Sequence, residues 1–155
     1  MTVGYRIDAI PAAVLREVRD SGLDVSGNPV EPAVAGGGEP LRCCLRDATE
    51  GEELILFGYE PPLPASPYRE VGAVFAHRQP CGGPAGPGYP PGWHGRAQVF
   101  RAYDERGWIH PASTVDDGTD PEATIRAILA DPEVRLVHTR NVTYGCFMLA
   151  IVPDH

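Results

Sequence analysis

Apolar and polar positions along the chain follow two rhythms. Val3, Tyr5 and Ile7 alternate with Gly4 and Arg6, the period of a half-buried strand. The rhythm then changes. Val14, Leu15 and Val18 form one helical stripe, Pro11 stands where a first helical turn tolerates it and Gly22 supplies a stop, so the spacing predicts a short helix. Leu41 to Asp47 and Glu53 to Tyr59 are predicted as strands flanking a hairpin turn at Thr49-Glu50-Gly51. Val71 to His77 and Arg96 to Asp104 are two more, the second turning at Glu105-Arg106-Gly107 into Trp108-Ile109-His110. Asp120 before Pro121 makes the cap and first turn of a second helix, whose inward stripe is Ile125, Ile128 and Leu129 and whose end is Asp131-Pro132. Val134 to Thr139 and Tyr144 to Val152 complete the set. The last is apolar on both faces, as a central strand would be.

Glycine and proline collect between these elements. They are dense in Ser26 to Pro40 and Glu60 to Pro67, and in Pro80 to Gly95 they make up 11 of 16 residues. These stretches are predicted as loops, and the longest as a lid or site wall, because long structureless connections in compact chains tend to be functional or mobile. Two helices, about eight strands and short connections predict an α+β fold: a mostly antiparallel sheet of about eight strands with two helices packed on it, in a single domain over residues 1–155. A chain this long buries roughly two-thirds of its unfolded surface, so a core is expected without disulfides or a structural metal.

Charge narrows the chemistry. The 13 basic residues are all arginine, against 21 acidic ones, giving a net charge of −8. Absence of lysine closes Schiff-base chemistry, pyridoxal phosphate anchoring and the P-loop lysine. A net acidic chain with dispersed arginines would be repelled by a phosphate backbone, so nucleic acid is not an expected partner. No apolar run reaches the roughly 20 residues of a bilayer span, and Met1 to Ile10 lack the pattern of an export leader. The expectation is a cytoplasmic monomer or small homo-oligomer with no membrane partner. Its four cysteines, Cys43, Cys44, Cys81 and Cys146, are expected to be reduced thiols.

A series of short motifs runs along most of the chain: Pro40-Leu41-Arg42-Cys43-Cys44-Leu45-Arg46-Asp47, Gly51-Glu52, Val74-Phe75-Ala76-His77 leading to Cys81, Arg101-Ala102-Tyr103-Asp104, Asp131-Pro132-Glu133-Val134, and Tyr144-Gly145-Cys146-Phe147. From about Tyr5 to Val152 this series resembles the bacterial domain-of-unknown-function family 1203, in its actinobacterial version. The resemblance implies an intracellular single-domain protein and carries over no catalytic residue. An arginine-only basic set also fits a genome rich in G and C, where specialised-metabolite clusters are common; that link is an association only.

Two constellations could carry chemistry. His138, Arg140, Asn141, Tyr144 and Cys146 fall within nine residues at a strand end, where a rigid sheet can present them. Imidazole can exchange protons near neutral pH, and a guanidinium can hold a carboxylate or phosphate bidentately. With His77 added, His138, Arg140 and Cys146 are the candidate catalytic residues; Trp93, Tyr103, Tyr144 and Asn141 are the candidate ligand-binding ones. Together they predict a pocket for a small organic metabolite, with no cofactor specified. The alternative is a non-catalytic metal-binding or protein-interaction module using Cys43, Cys44, His77 and Cys81, since thiolate and imidazole suit zinc or copper(I). On a strand, Cys43 and Cys44 would face opposite ways and only one could join His77. The acidic pairs Glu52-Glu53 and Asp116-Asp117 are expected to be solvated turn residues.

Overall fold

A computed structural model describes residues 3–154; Met1 and Thr2, the start of the segment expected to lack a leader pattern, lie outside them, as does His155. Among the described residues two α-helices and ten strands form an α+β fold, and the strands divide into two five-stranded sheets rather than one sheet of about eight. Each sheet belongs to one of two compact units.

Among the described residues the first unit comprises 3–8, 62–69 and 87–154. Its sheet has the order β1 (Tyr5–Asp8), β10 (Phe147–Pro153), β9 (Leu136–Asn141), β7 (Gln98–Tyr103) and β8 (Thr114–Asp116), antiparallel throughout. Bracketed by β1 and β9, β10 is buried along nearly all its length, as its two-faced apolar sequence requires. Helix α2 (Pro121–Leu129) starts as expected: the Asp120 side chain accepts the Ala123 amide, Pro121 occupies the first turn, and Ile125, Ile128 and Leu129 are buried. The expected loop contains a 3-10 turn at Pro91–Trp93, and Trp93 is fully buried. Asp116, expected to be solvated, is also buried and accepts bonds from the Gly118 amide and the Thr124 hydroxyl.

The second unit comprises residues 9–61 and 70–86. Helix α1 (Ala12–Ser21) buries Leu15 and Val18 and ends at Gly22, whose φ of 70° is the left-handed cap that glycine adopts without strain. The sheet order is β2 (Glu31–Val34), β5 (Glu53–Tyr59), β6 (Gly72–His77), β3 (Pro40–Leu41) and β4 (Arg46–Asp47). Two expectations are corrected here. Leu41 to Asp47 is not one strand: residues 42–45 form a tight turn between β3 and β4, closed by the Leu45 amide donating to the Leu41 carbonyl at 2.9 Å. The hairpin at Thr49-Glu50-Gly51 is also absent, because β5 pairs with β2 and β6 and not with β4. Instead β3 runs parallel to β6, with Leu41 opposite Phe75. No helix among the described residues is long and apolar enough to cross a membrane.

Candidate metal centre

The turn after β3 determines what Cys43 and Cys44 can do. Leu45 takes φ of 57°, an uncommon left-handed conformation for a residue with a side chain, and the chain doubles back there. Because the two cysteines sit on this turn, the alternation that would separate their side chains does not apply, and both thiols lie close to His77 at the end of β6. His77 Nδ1 is 3.4 Å from Cys43 Sγ and 3.8 Å from Cys44 Sγ, and the two sulfurs are 3.9 Å apart. The His77 backbone amide donates to Cys43 Sγ at 3.2 Å. Four residues on, Cys81 brings its sulfur within 4.8 Å of the other three ligand atoms.

These spacings can be compared with a metal polyhedron. Zinc–sulfur bonds of about 2.3 Å and zinc–nitrogen bonds of about 2.0–2.1 Å at tetrahedral angles give edges of about 3.8 Å between sulfurs and about 3.6 Å from sulfur to nitrogen. The three distances that join Cys43, Cys44 and His77 fall within roughly 0.3 Å of those edges.

The imidazole is oriented through its other nitrogen. His77 Nε2 lies 2.7 Å from Glu52 Oε2, so the ring proton resides there and the Nδ1 lone pair faces the sulfurs, the arrangement metal-bound histidines use. Arg46 Nη2 is 3.2 Å from the same Nε2; both are donors, and the carboxylate is their common acceptor. Glu52 is held in turn by two Arg46 bonds of 2.9 Å and by the Thr49 amide and hydroxyl, which keep its carboxyl well below the ordinary carboxylate range. Its expected role as a solvated turn acid is therefore corrected. The missed signal was the Thr49-x-x-Glu52 spacing, in which a glutamate turns back onto the backbone amide three residues earlier.

Proton sharing differentiates the thiols. A hydrogen bond from Cys43 lowers the Cys44 pKa, while the same bond and burial raise that of Cys43. Burial also raises Cys81. All four cysteines are free thiols. A cavity of about 350 Å3 lined by Ile10, Leu15, Pro80 and Pro84 opens onto Cys43 and Cys81.

The other sequence candidates lie in the first unit. His138 is 2% exposed, sits edge-on to the Tyr103 and Phe147 rings, and bonds through Nε2 to the Pro62 carbonyl at 3.0 Å. Burial lowers its pKa to about 4, so it is neutral at physiological pH. Arg140, a candidate catalytic residue, is 6% exposed and donates to the Gly145 carbonyl at 2.6 Å. Asn141 spends its side-chain oxygen on the amides of Thr143 and Tyr144, ordering the turn that carries Cys146. Tyr144 is 81% exposed; Tyr103 and Trp93 are interior.

A second cluster was not anticipated. His110 Nε2 lies 3.4 Å from Asp131 Oδ2 and 3.3 Å from Glu133 Oε2. There Nδ1 accepts the Ala112 amide at 3.0 Å, so the proton sits on Nε2 as in His77, but here the candidate ligand atoms are the carboxylates that this N–H faces. His110 thus donates where a metal ligand must present a lone pair.

No curated protein and no solved structure matches the chain. Residues 38–152, a span containing all four cysteines and His77, match the family model described as Protein of unknown function (DUF1203), and the chain belongs to that family.

Proposed function

We propose that the chain is a metal-binding module that holds zinc(II) or copper(I) through Cys43, Cys44, His77 and Cys81. The observation that carries this reading is the tetrahedral spacing of two sulfurs and an imidazole nitrogen whose opposite N–H is fixed by Glu52. Three soft sulfur donors and one imidazole select these ions over magnesium or calcium. Four protein ligands fill a tetrahedral shell, which suits a structural or carrier role better than catalysis at the ion. Binding would displace the thiol protons, so affinity rises with pH, and it requires reduced cysteines, which fits a cytoplasmic address.

The expectation of a small-molecule ligand draws its support from the cavities of the second unit. His138 and Arg140 support it less, since both are spent on backbone carbonyls inside the first unit.

Elemental analysis of protein purified under reducing, anaerobic conditions tests the metal reading. The expected result is close to one zinc or copper ion per chain, lost in Cys44→Ser and His77→Ala and kept in His110→Gln. Absence of metal from the parent, together with no uptake of added zinc or copper(I) at micromolar concentration, overturns it.

A further inference from the structure

A second cavity of the same unit, about 640 Å3 in volume, lies beside helix α1. Arg16, Arg19 and Asp20 enter its lining from one face of that helix, as positions three and four apart do. Arg78 joins them from the residue after β6. Three arginines against one acid leave two positive charges unbalanced, in a chain whose net charge is −8. Arg19 donates through Nε and Nη2 to the His77 carbonyl at 3.3 and 2.9 Å, which fixes its guanidinium. Arg16 and Arg78 are exposed at the cavity, and neither side chain is tied to a carboxylate among the described residues. Apart from Gln79 the remaining lining is apolar: Pro32 and Ile55 stand opposite each other in the β2–β5 register, with Val30 next to them.

We infer that this cleft binds a small organic dianion, a phosphate monoester with an apolar body. Planar guanidinium groups match phosphate oxygens bidentately, and a phosphate monoester carries close to two negative charges near pH 7, the number the lining leaves unbalanced. The apolar body rests on Val30, Pro32 and Ile55. This site is separate from the proposed metal centre and does not depend on it. The two share a structural link, since Arg19 grips the carbonyl of His77, and Arg78 follows that residue directly.

Isothermal titration with phenyl phosphate, inorganic phosphate, benzoate and phenol tests the inference, run on the protein both as purified and after chelation. Phenyl phosphate is expected to bind with a Kd at or below about 1 mM. Inorganic phosphate and benzoate should each bind at least about tenfold more weakly, and phenol should not bind measurably. Arg16→Gln and Arg78→Gln should each weaken phenyl phosphate about tenfold with unchanged circular dichroism, and Asp20→Asn should tighten it. Equal binding of inorganic phosphate, no binding of phenyl phosphate, or indifference to both arginine substitutions overturns the inference. Absence of metal from the purified protein and of any uptake of added zinc or copper(I), with phenyl phosphate binding intact, would count against the metal centre alone.

Discussion

Replacing Glu52 by alanine removes the acceptor of the His77 Nε2–H, the partner of two Arg46 bonds and the anchor of the Thr49 amide in one step. The structural cost should be modest. The Arg46–Glu52 pair is partly solvated, with side chains 47% and 24% exposed, and such pairs contribute about 0–1 kcal/mol, while the lost amide bond adds about 1 kcal/mol. The cost to metal binding should be larger. Losing the carboxylate that orients a metal-bound imidazole commonly lowers affinity about 10- to 100-fold, or about 1.4 to 2.7 kcal/mol. Glu52→Gln retains an oxygen able to accept the Nε2–H but loses the charge, so it should lie between the parent and Glu52→Ala. Competition for zinc against a chromophoric chelator reads the affinity, and thermal melting of the metal-free protein reads the fold. A Glu52→Ala affinity within about threefold of the parent would refute the claim that this carboxylate sets the imidazole for coordination.

The remaining predictions concern stability, three in the first unit and one, at Gly72, in the second. Folded His138 resists protonation until about pH 4, whereas the unfolded imidazole takes a proton near 6.5, so stability should fall by up to about 3 kcal/mol as pH drops from 6.5 to 4; chemical denaturation of His138→Gln should show a flatter profile across that window. Arg140→Ala should destabilise by about 1.5–3 kcal/mol, because it removes a buried guanidinium that donates to the Gly145 carbonyl, and a melting temperature equal to the parent's would contradict this. Gly118→Ala should cost more than about 2 kcal/mol, since at φ of 88° its new methyl carbon would lie 2.6 Å from the Arg96 nitrogen. Gly72→Ala, with nothing within 4 Å of the added carbon, should melt within a few degrees of the parent.

The helices were legible in the sequence because local chemistry specifies their ends: Gly22 closes α1, and Asp120 with Pro121 opens α2. The long strands β5, β6, β7 and β10 announced themselves by apolar runs. Strands β2 and β8 did not. Glu31–Val34 is an edge strand with a proline inside a Gly/Pro-rich stretch, and Thr114–Asp116 is a three-residue edge; neither needs a continuous apolar face. The division into two sheets depends on pairings between distant segments that no local pattern encodes. At the candidate site the four ligand types were readable from composition, but their convergence was not. A turn through a left-handed leucine carries no glycine to flag it, so Arg42–Leu45 passed for strand, and the two thiols were assigned to opposite faces. Glu52 was overlooked because its partners, Arg46 and His77, lie six and 25 residues away.

Parallel pairing of β3 with β6 imposes an order of events on synthesis. The ribosome releases Cys43 and Cys44 well before the strand that ends in His77, and the contact that brings them together spans 34 residues. Closing a loop of that length costs entropy before any contact repays it, and non-local pairing of this kind slows folding. During the delay the nascent chain exposes two adjacent thiols with neither the imidazole nor Cys81 to shield them. The interval before β6 docks is therefore when this pair is most vulnerable to oxidants and to capture by a foreign thiophilic ion, and faster translation through residues 44–77 would shorten it.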